Sequence, residues 1–391
     1  MKHVLTIVAL FLMNLGLATS PALSDDTEIN AALRSLLGSF RETYGFPGAT
    51  VAYTLKDGTT GAVAVGLADV EADIPMTTES RMLAASIGKT IWGALVLSLE
   101  SEGVLARADL VSGYLGQLPW FGRVPNAQDM TIGHLLTHTS GVPDHVHLDG
   151  VAGALIDMGQ TAPFAPEAAI AFILDEPPLF EAGTAWAYTD SGYLLLGLVI
   201  EAATGRDVFE LVQERFLTPL GLFQTIPSDG PMIEGLAVGY TVAPNSFGLP
   251  SRTSDETGAL LWNPAVEWTG GGFVSTSSDL ARWGHALFTG VAMDEPYMDR
   301  LLDAVPVHPD APGIRYGSGV ALYTETLHGP VYGHGGWIPG YVSSLRHYAD
   351  HDLTIAFQIN TEVGVADDSS DLVPALESAL ADLLIDAVSA Q

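Results

Sequence analysis

The chain of 391 residues contains no cysteine. This absence excludes disulfide bonds, thiolate nucleophiles and thiolate metal sites from any hypothesis about its fold or chemistry. The hydrophobic residues, which make up 48% of the sequence, must therefore stabilise the fold by burial, without covalent cross-links.

Positive charge is also scarce, with 15 lysine and arginine residues against 46 aspartate and glutamate residues and a formal charge of −31. Such a surface repels nucleic acid and anionic lipid, so we expect no nucleic-acid partner. The lysines are Lys2, Lys56 and Lys89. Lys56 precedes Asp-Gly, a turn signal, and is predicted to lie on a hairpin surface. Lys89 is flanked by small and apolar residues, which indicates a buried lysine.

Long apolar runs are limited to one, Val4 to Leu17, which follows a short basic start. The run is too short for a stable membrane span and precedes small residues, a pattern typical of a signal peptide. We predict a signal peptide over residues 1–24, cleaved between Ser24 and Asp25, and export to the periplasm or the medium. The rest of the sequence predicts no membrane anchor after cleavage.

Residues 25–391 are predicted to form one α/β (α+β) domain with two lobes. Helical spacing over 28–44 at one end, and strand alternation over 316–324 and 341–348 at the other, flank a middle that is mostly helical. This pattern predicts an antiparallel sheet that is built from both termini and flanked by helices, with a helical lobe inserted between them. The sheet lobe is expected over about 25–82 and 305–391, and the helical lobe over about 83–304.

Ser86-Ile87-Gly88-Lys89 is the first candidate for chemistry. Residues three apart lie on the same face of a helix, so Lys89 can reach Ser86. A serine hydroxyl is a poor nucleophile until a base removes its proton, and a buried lysine is able to act as that base when it is neutral. The backbone N–H groups at a helix start also favour the negative charge that develops during attack.

Two further segments carry candidate residues. Tyr188-Thr189-Asp190 precedes a helix, and a tyrosine beside a cation can relay a proton to a leaving group. His334-Gly335-Gly336-Trp337 lies between apparent strands, where glycines let a substrate backbone approach an edge strand. There His334 is expected to donate to a substrate carboxylate or to orient Tyr188.

The order of these three segments resembles the penicillin-binding-protein and class C β-lactamase superfamily of serine hydrolases. The resemblance runs from about residue 30 to the C-terminus and includes the stretches 131–141, 270–280 and 333–346. It implies that Ser86 is acylated, that Lys89 accepts its proton and that Tyr188 is the general acid and base. It places the oxyanion hole at the backbone N–H groups of Ser86 and Trp337. No cofactor and no metal are implied.

The sequence departs from that pattern at two positions. The superfamily usually has Asn where Asp190 stands, and a carboxylate beside Lys89 favours the ammonium form over the free base. His334 replaces the lysine that is usual in β-lactamases, and a histidine there is common among related carboxypeptidases and esterases. The resemblance implies a small-molecule, peptide or ester substrate and leaves D-alanyl peptides, β-lactams, short esters and small amides open, while the histidine disfavours potent β-lactam hydrolysis.

Another enzyme class is weighed on the same serine. Ala84-Ala85-Ser86-Ile87-Gly88 approximates the nucleophile elbow of α/β-hydrolases, with Ala in place of the first Gly. That hypothesis requires a parallel sheet and a strand that ends just before Ser86.

A metal-dependent hydrolase is a further alternative. His145, His147 and Asp149 resemble part of a zinc-binding motif, and His134 and His138 are possible additional ligands. A non-catalytic binding protein of the same fold is disfavoured because Ser86, Lys89 and Tyr188 are all present.

Overall fold

The computed structural model describes residues 28–161, 163–243, 245, 247–294, 296–364 and 370–389. The predicted signal peptide, residues 1–24, lies outside these ranges. Within them, no helix combines the length and the apolar character needed to cross a membrane. The α-helices are α1 (Glu28–Tyr44), α2 (Gly88–Ser101), α3 (Ser112–Leu115), α4 (Ile132–Leu136), α5 (Val151–Asp157), α6 (Pro166–Ile170), α7 (Asp190–Thr204), α8 (Val208–Val212), α9 (Ser277–Phe288), α10 (Tyr297–Leu301) and α11 (Leu372–Ser389).

The strands form one large and one small sheet, and every pairing within them is antiparallel. In the described chain the large sheet has the order β3-β2-β1-β12-β11-β10-β9-β8-β7, and the small sheet has the order β4-β6-β5. The strands are β1 (Gly48–Thr54), β2 (Thr60–Asp69), β3 (Ile74–Pro75), β4 (Met82–Leu83), β5 (Ile226–Pro227), β6 (Phe273–Ser275), β7 (Val305–Pro306), β8 (Ile314–Tyr316), β9 (Ala321–Tyr323), β10 (Val331–Ile338), β11 (Tyr341–Tyr348) and β12 (Leu353–Ile359).

Alternation along the central strands buries both faces of the large sheet. In β12, Ile355 and Phe357 pack with α1 and α11, whereas Ala356 between them packs on the opposite side with α9. Successive strand residues point to opposite faces, so a single strand contributes to both cores. Gly284 of α9 allows close packing, since a Cβ there would lie 2.7 Å from Leu345 Cδ1.

The inserted helices share one core with that second face. Helix α2 is buried on nearly all sides, as its apolar composition requires, and its Trp92 packs against Phe209 and Phe273. Helix α7 begins after the N-cap Thr189, whose side chain accepts from the Gly192 N–H group, and ends at the left-handed Gly205. This arrangement places the start of α2 and the start of α7 beside each other.

The predicted fold class is confirmed: one antiparallel sheet contains strands from both ends of the chain, with a mostly helical region inserted. The α/β-hydrolase alternative is therefore wrong, because it requires a parallel sheet and Ser86 follows a two-residue antiparallel strand. The division into lobes near residues 82 and 305 stays a prediction. Lys56 is exposed, as predicted, and pairs with Asp352 at 3.0 Å.

Two strand predictions differ from the structure. The strand expected over 316–324 is a tight hairpin of β8 and β9, which turns at Gly317-Ser318-Gly319 because this turn packs against α2. His334 to Trp337, expected between strands, lie within β10, where they pair with β11.

Candidate active site

Ser86, the predicted nucleophile, sits in a short 3₁₀ turn, Ala85–Ile87 (the nucleophile turn), that leads directly into α2. Ala85 just before it has φ 49°, a left-handed conformation that costs energy for a residue with a side chain. The turn persists because both neighbours of Ser86 are buried in the core. The strained backbone presents the Ser86 hydroxyl to a pocket at the start of the helix.

Glycines let two other backbone segments approach this turn. A Cβ on Gly88 would lie 2.1 Å from the Gly271 carbonyl oxygen, and one on Gly336 would lie 2.4 Å from the Ala84 carbonyl oxygen. Ser343 fixes the same carbonyl by donating to it at 2.7 Å. The contacts place the nucleophile turn between β10 and the segment that follows residue 269.

Lys89 is fully buried, and its Nζ has three acceptors within hydrogen-bonding distance. They are Ser86 Oγ at 3.1 Å, Asp190 Oδ1 at 2.5 Å and the Gly270 carbonyl oxygen. Burial lowers the pKa of Lys89, but the charge of Asp190 and the hydrogen bond to it outweigh burial and hold this pKa above its usual value. Three acceptors also match the three N–H donors of an ammonium group.

Tyr188 is a second hydrogen-bond donor to the Ser86 hydroxyl group, beside Lys89. Its Oη donates to Ser86 Oγ at 2.9 Å, and Lys89 Nζ lies 4.9 Å from the centre of its ring. Burial raises the pKa of Tyr188 to about 12, although the charge of Lys89 acts in the opposite direction. Tyr188 therefore holds its proton in the resting site.

His138 positions the segment that carries Tyr188. It accepts from the Thr189 N–H group at 3.3 Å through Nδ1, and its carbonyl accepts from the Ala187 N–H group at 3.0 Å. Its ring packs on the Tyr188 ring with centroids 4.3 Å apart. Since His138 is buried beside Lys89, its pKa is held well below the usual value.

Asp190 begins α7 and joins this group to a second carboxyl group. Its backbone N–H donates to Asp144 Oδ1 at 3.3 Å. Burial, followed by the charge of Asp190, raises the pKa of Asp144 to about 7. Two carboxyl groups and a single buried ammonium therefore lie together behind Ser86.

His334 lies behind the site rather than in the pocket wall. Its Nδ1 donates to the Gly335 carbonyl oxygen at 2.5 Å, so its Nε2 accepts from Tyr316 Oη at 2.8 Å. Burial and then the charge of Lys89 lower the pKa of His334 to about 3, and the ring is neutral near pH 7. Its ring centre is 6.2 Å from that of Tyr188.

The edge of β10 beside the nucleophile turn is open. β9 pairs only with Val331 to Gly333, so within the described chain no strand covers that side of β10 from His334 to Ile338. Trp337 lines the pocket together with Ser86. Behind it, the buried carboxylate of Glu362 accepts from the Gly340 N–H group at 3.1 Å and from Trp337 Nε1 at 3.4 Å.

The pocket in front of Ser86 has mainly apolar and aromatic walls, and it includes a carboxyl group. Glu267 lines it, with Oε2 accepting from the Gly272 N–H group at 3.1 Å. Burial raises the pKa of Glu267 to about 7. The lining residues are Ser86, His145, Val146, Asp190, Phe247, Leu249, Trp262, Asn263, Val266, Glu267, Gly270, Trp337, Ile338 and Pro339.

The candidate zinc ligands do not converge. His145 is buried and contacts Ser191 Oγ at 3.0 Å through Nδ1, whereas His147 and Asp149 are exposed. His134 accepts from the Thr131 N–H group through Nδ1. In the ranges that the structure describes, no three His, Asp or Glu side chains are grouped to hold a metal ion.

A sequence profile named Beta-lactamase matches residues 33–379. The chain belongs to the Beta-lactamase family. Its resemblance to the serine β-lactamase and penicillin-binding-protein superfamily is thus confirmed.

Relatives of this Beta-lactamase family member include penicillin-binding proteins and peptidases. Penicillin-binding protein 4* of Bacillus subtilis (strain 168) is 27% identical over 315 residues, which are 76% of this chain and 64% of that protein. A D-aminopeptidase of Brucella anthropi is 26% identical over 341 residues, 86% of this chain and 60% of that protein. The chain therefore spans less than two thirds of the length of these two relatives.

Two solved structures share the fold. The D-amino acid amidase from Ochrobactrum anthropi SV3, in complex with L-phenylalanine amide, has a TM-score of 0.76 and 22% identity, covering 93% of this chain and 99% of its own. A D-stereospecific amidohydrolase from Streptomyces sp. has a TM-score of 0.74 and 24% identity, with coverages of 88% and 97%.

In this family member the structure brings Ser86, Lys89, Tyr188 and Asp190 together at the base of one pocket. Trp337 reaches the pocket wall, Gly336 packs on the nucleophile turn, and Gly335 accepts from His334. Sequence reasoning missed Asp144, Glu267 and Glu362. Asp144 and Glu362 lie outside helices and strands and Glu267 lies in a 3₁₀ segment, Pro264–Gly270, so no local periodicity indicates that these residues reach the site.

Proposed function

We propose that this protein hydrolyses amide or ester bonds of small substrates through an acyl-enzyme formed on Ser86. The observation that carries the proposal is the position of Ser86 Oγ, within 3.1 Å of Lys89 Nζ and 2.9 Å of Tyr188 Oη at the base of a pocket. A serine held between two proton-transfer groups is the arrangement that nucleophilic catalysis requires. The names of the relatives, which include D-aminopeptidase and penicillin-binding protein, support the same chemistry.

In the proposed reaction, one proton first leaves Lys89 for Asp190 or solvent, and Ser86 Oγ then attacks the substrate carbonyl carbon while its proton passes to the neutral Lys89. The backbone N–H groups of Ser86 and Trp337 would stabilise the oxyanion. The bond to the leaving amine or alcohol then breaks, and Tyr188 gives the leaving group its proton. Water then attacks the resulting ester and gives a proton to the Lys89–Tyr188 pair, and the pair returns a proton to Ser86 Oγ as the bond to the released acid breaks.

The test is active-site labelling followed by intact-protein mass spectrometry. A fluorophosphonate is expected to add one adduct to the wild type and none to Ser86→Ala, which should also lose at least about a thousandfold in kcat on p-nitrophenyl esters and amino-acid amides. Ser101→Ala, which changes an exposed serine at the end of α2, is the matched control and should label normally. Equal labelling of the wild type and Ser86→Ala would refute the proposal.

Export remains a separate proposal. It depends on the apolar run of residues 4–17, and N-terminal sequencing of protein recovered outside the cytoplasm is expected to begin at Asp25. A chain that stays in the cytoplasm with residues 1–24 attached would contradict it.

A further inference from the structure

The charges at the active-site pocket favour one class of substrate over another. Among its lining residues, which all belong to the described part of the chain, there are two carboxyl groups, Asp190 and Glu267, and no lysine or arginine. Lys89 lies beneath them, but Asp190 and the Gly270 carbonyl already accept its N–H groups. His334 is neutral and uses both ring nitrogens inside the protein.

This distribution disfavours substrates with a carboxylate beside the scissile bond. Recognition of a carboxylate ordinarily uses an arginine, a lysine or a protonated histidine. A carboxylate that entered this pocket would instead meet Glu267 and Asp190, and like charges in a partly desolvated site repel each other strongly.

Glu267 lies where it can contact the acyl part of a substrate. Glu267 Oε1 and the Ala85 carbonyl oxygen lie 2.2 and 2.6 Å from the point that a Cβ on Gly271 would occupy. Glycine at position 271 therefore leaves room for the carboxyl group beside the residue that precedes the nucleophile. The Gly272 N–H group fixes the other oxygen, Oε2.

We propose that Glu267 binds the ammonium group of an aminoacyl amide or ester, and that it thereby selects amine-bearing acyl groups over carboxylate-bearing substrates. The inference rests on the proposed function, since it assigns a substrate class to the same pocket. An α-ammonium is two bonds from the carbonyl carbon that Ser86 attacks, so its recognition requires an anion beside the nucleophile turn. Glu267 lies at that place.

The pocket walls indicate what the acyl side chain is. Phe247, Trp262 and Trp337 line the pocket with Leu249 and Val266, so the space beside Glu267 is apolar and aromatic. Aromatic faces also attract cations, which adds to the preference for an ammonium group. The substrate class is therefore an amide or ester of an apolar or aromatic amino acid with a free amine.

The experiment compares an amine-bearing p-nitroanilide with its des-amino analogue. The first is phenylalanine p-nitroanilide, assayed as each enantiomer, and the second is 3-phenylpropanoyl p-nitroanilide. The wild type is expected to prefer the amine-bearing compound in kcat/KM. Glu267→Gln should reduce that preference about tenfold to hundredfold, the size expected for a lost charge-assisted hydrogen bond, while it leaves the des-amino compound within about threefold. Glu256→Gln, which removes an exposed carboxylate outside the pocket, should change neither value.

Two outcomes would overturn the inference while the proposed function stands, and in both of them Ser86 is labelled. In the first, Glu267→Gln keeps the amine preference. In the second, Glu267→Gln slows both compounds equally. Failure of the proposed function has a different result, because Ser86 would then take up no fluorophosphonate and the wild type would cleave neither compound.

A second readout uses the wild type and does not depend on the folding of a variant. Since the pKa of Glu267 is raised to about 7, the ionised fraction of its carboxyl group rises several-fold between pH 5.5 and pH 6.5, where the amine of the substrate, with a pKa of about 8, stays protonated. The amine preference should therefore increase between these pH values, and Glu267→Gln should remove the increase. Lys89, Asp190, Asp144 and His145 also lie around the site and are unchanged in Glu267→Gln, so the comparison of the wild type with this variant isolates the contribution of Glu267. A ratio that is flat with pH would overturn the inference.

Discussion

The protons around Ser86 determine how this nucleophile is activated. Lys89 Nζ and Tyr188 Oη both donate to Ser86 Oγ in the resting site, and neither is a base in that state. One proton must leave the pair before Lys89 can accept the proton of Ser86. Asp190, whose Oδ1 is 2.5 Å from Lys89 Nζ, is the acceptor in direct contact. Because the charge of Asp190 also raises the pKa of Lys89, in the proposed mechanism this carboxylate limits the fraction of Lys89 that is neutral.

Asp190→Asn tests this control. The substitution removes the charge that raises the pKa of Lys89 and keeps a side chain of the same shape, so Lys89 becomes neutral at a lower pH. We expect activity at neutral pH to be kept or raised, and the ascending limb of kcat against pH to move to lower pH. The measurement is a pH–rate profile on a p-nitrophenyl ester.

The opposite result for Asp190→Asn has an equally definite meaning. A loss of more than about a hundredfold in kcat, roughly 2.7 kcal/mol, would show that the carboxylate itself takes part in proton transfer. Asp129→Asn, at an exposed position remote from the pocket walls, is the control for a general effect of charge.

At the scale of elements, one buried residue, Glu362, fixes the turn between β10 and β11 by hydrogen bonds. Glu362 Oε1 accepts from the Val242 N–H group at 3.0 Å, and Oε2 accepts from the Gly340 N–H group and Trp337 Nε1. Glu362 is 1% exposed. Its carboxylate therefore joins the end of β10, which carries Trp337, to the segment at residue 242 without competition from water.

Glu362→Ala should loosen both segments. A buried donor left without its acceptor costs about 1–3 kcal/mol, so thermal unfolding should begin at a lower temperature. Because Trp337 lines the pocket, we also expect kcat/KM to fall about tenfold or more while fluorophosphonate still labels Ser86.

The two consequences of Glu362→Ala separate a positioning role from a purely structural one. Glu362→Gln, which keeps one acceptor oxygen, should recover part of both losses. Loss of stability with unchanged kcat/KM would show that Glu362 supports the fold and does not position Trp337.

Elements with strong local patterns could be predicted from the sequence, and those shaped by distant contacts could not. The sequence predicts a strand over 341–348 and a helix over 28–44, and in the structure both elements begin and end at these residues. The strand expected over 316–324 is interrupted because Gly319 packs on the Lys89 carbonyl, where a Cβ would lie 2.2 Å away. That contact joins residues far apart in the sequence, so no local periodicity indicates it.

At the scale of the whole molecule, the site could be predicted only where residues occur in a recognisable order. Ser86, Lys89 and Tyr188 were identified because their sequence spacing resembles a known superfamily. Glu267 and Glu362 gain their roles from folding alone, since each reaches the site from a segment with no motif of its own. Their burial depends on the packing of Trp262, Trp337 and the turn at Gly340, which the sequence does not specify locally.

The net charge of −31 predicts how the stability of the whole molecule responds to salt. With 46 acidic and 15 basic residues, repulsion between carboxylates exceeds the attraction available from surface ion pairs, each of which contributes at most about 1 kcal/mol. Raising NaCl from about 0.01 M to 0.5 M shortens the screening length from about 30 Å to a few ångströms, so Tm should rise by several degrees. The rise should shrink near pH 4.3, the sequence pI, where the net charge approaches zero. A Tm that falls with added NaCl at pH 7 would show that ion pairs such as Arg215–Glu102 outweigh the repulsion.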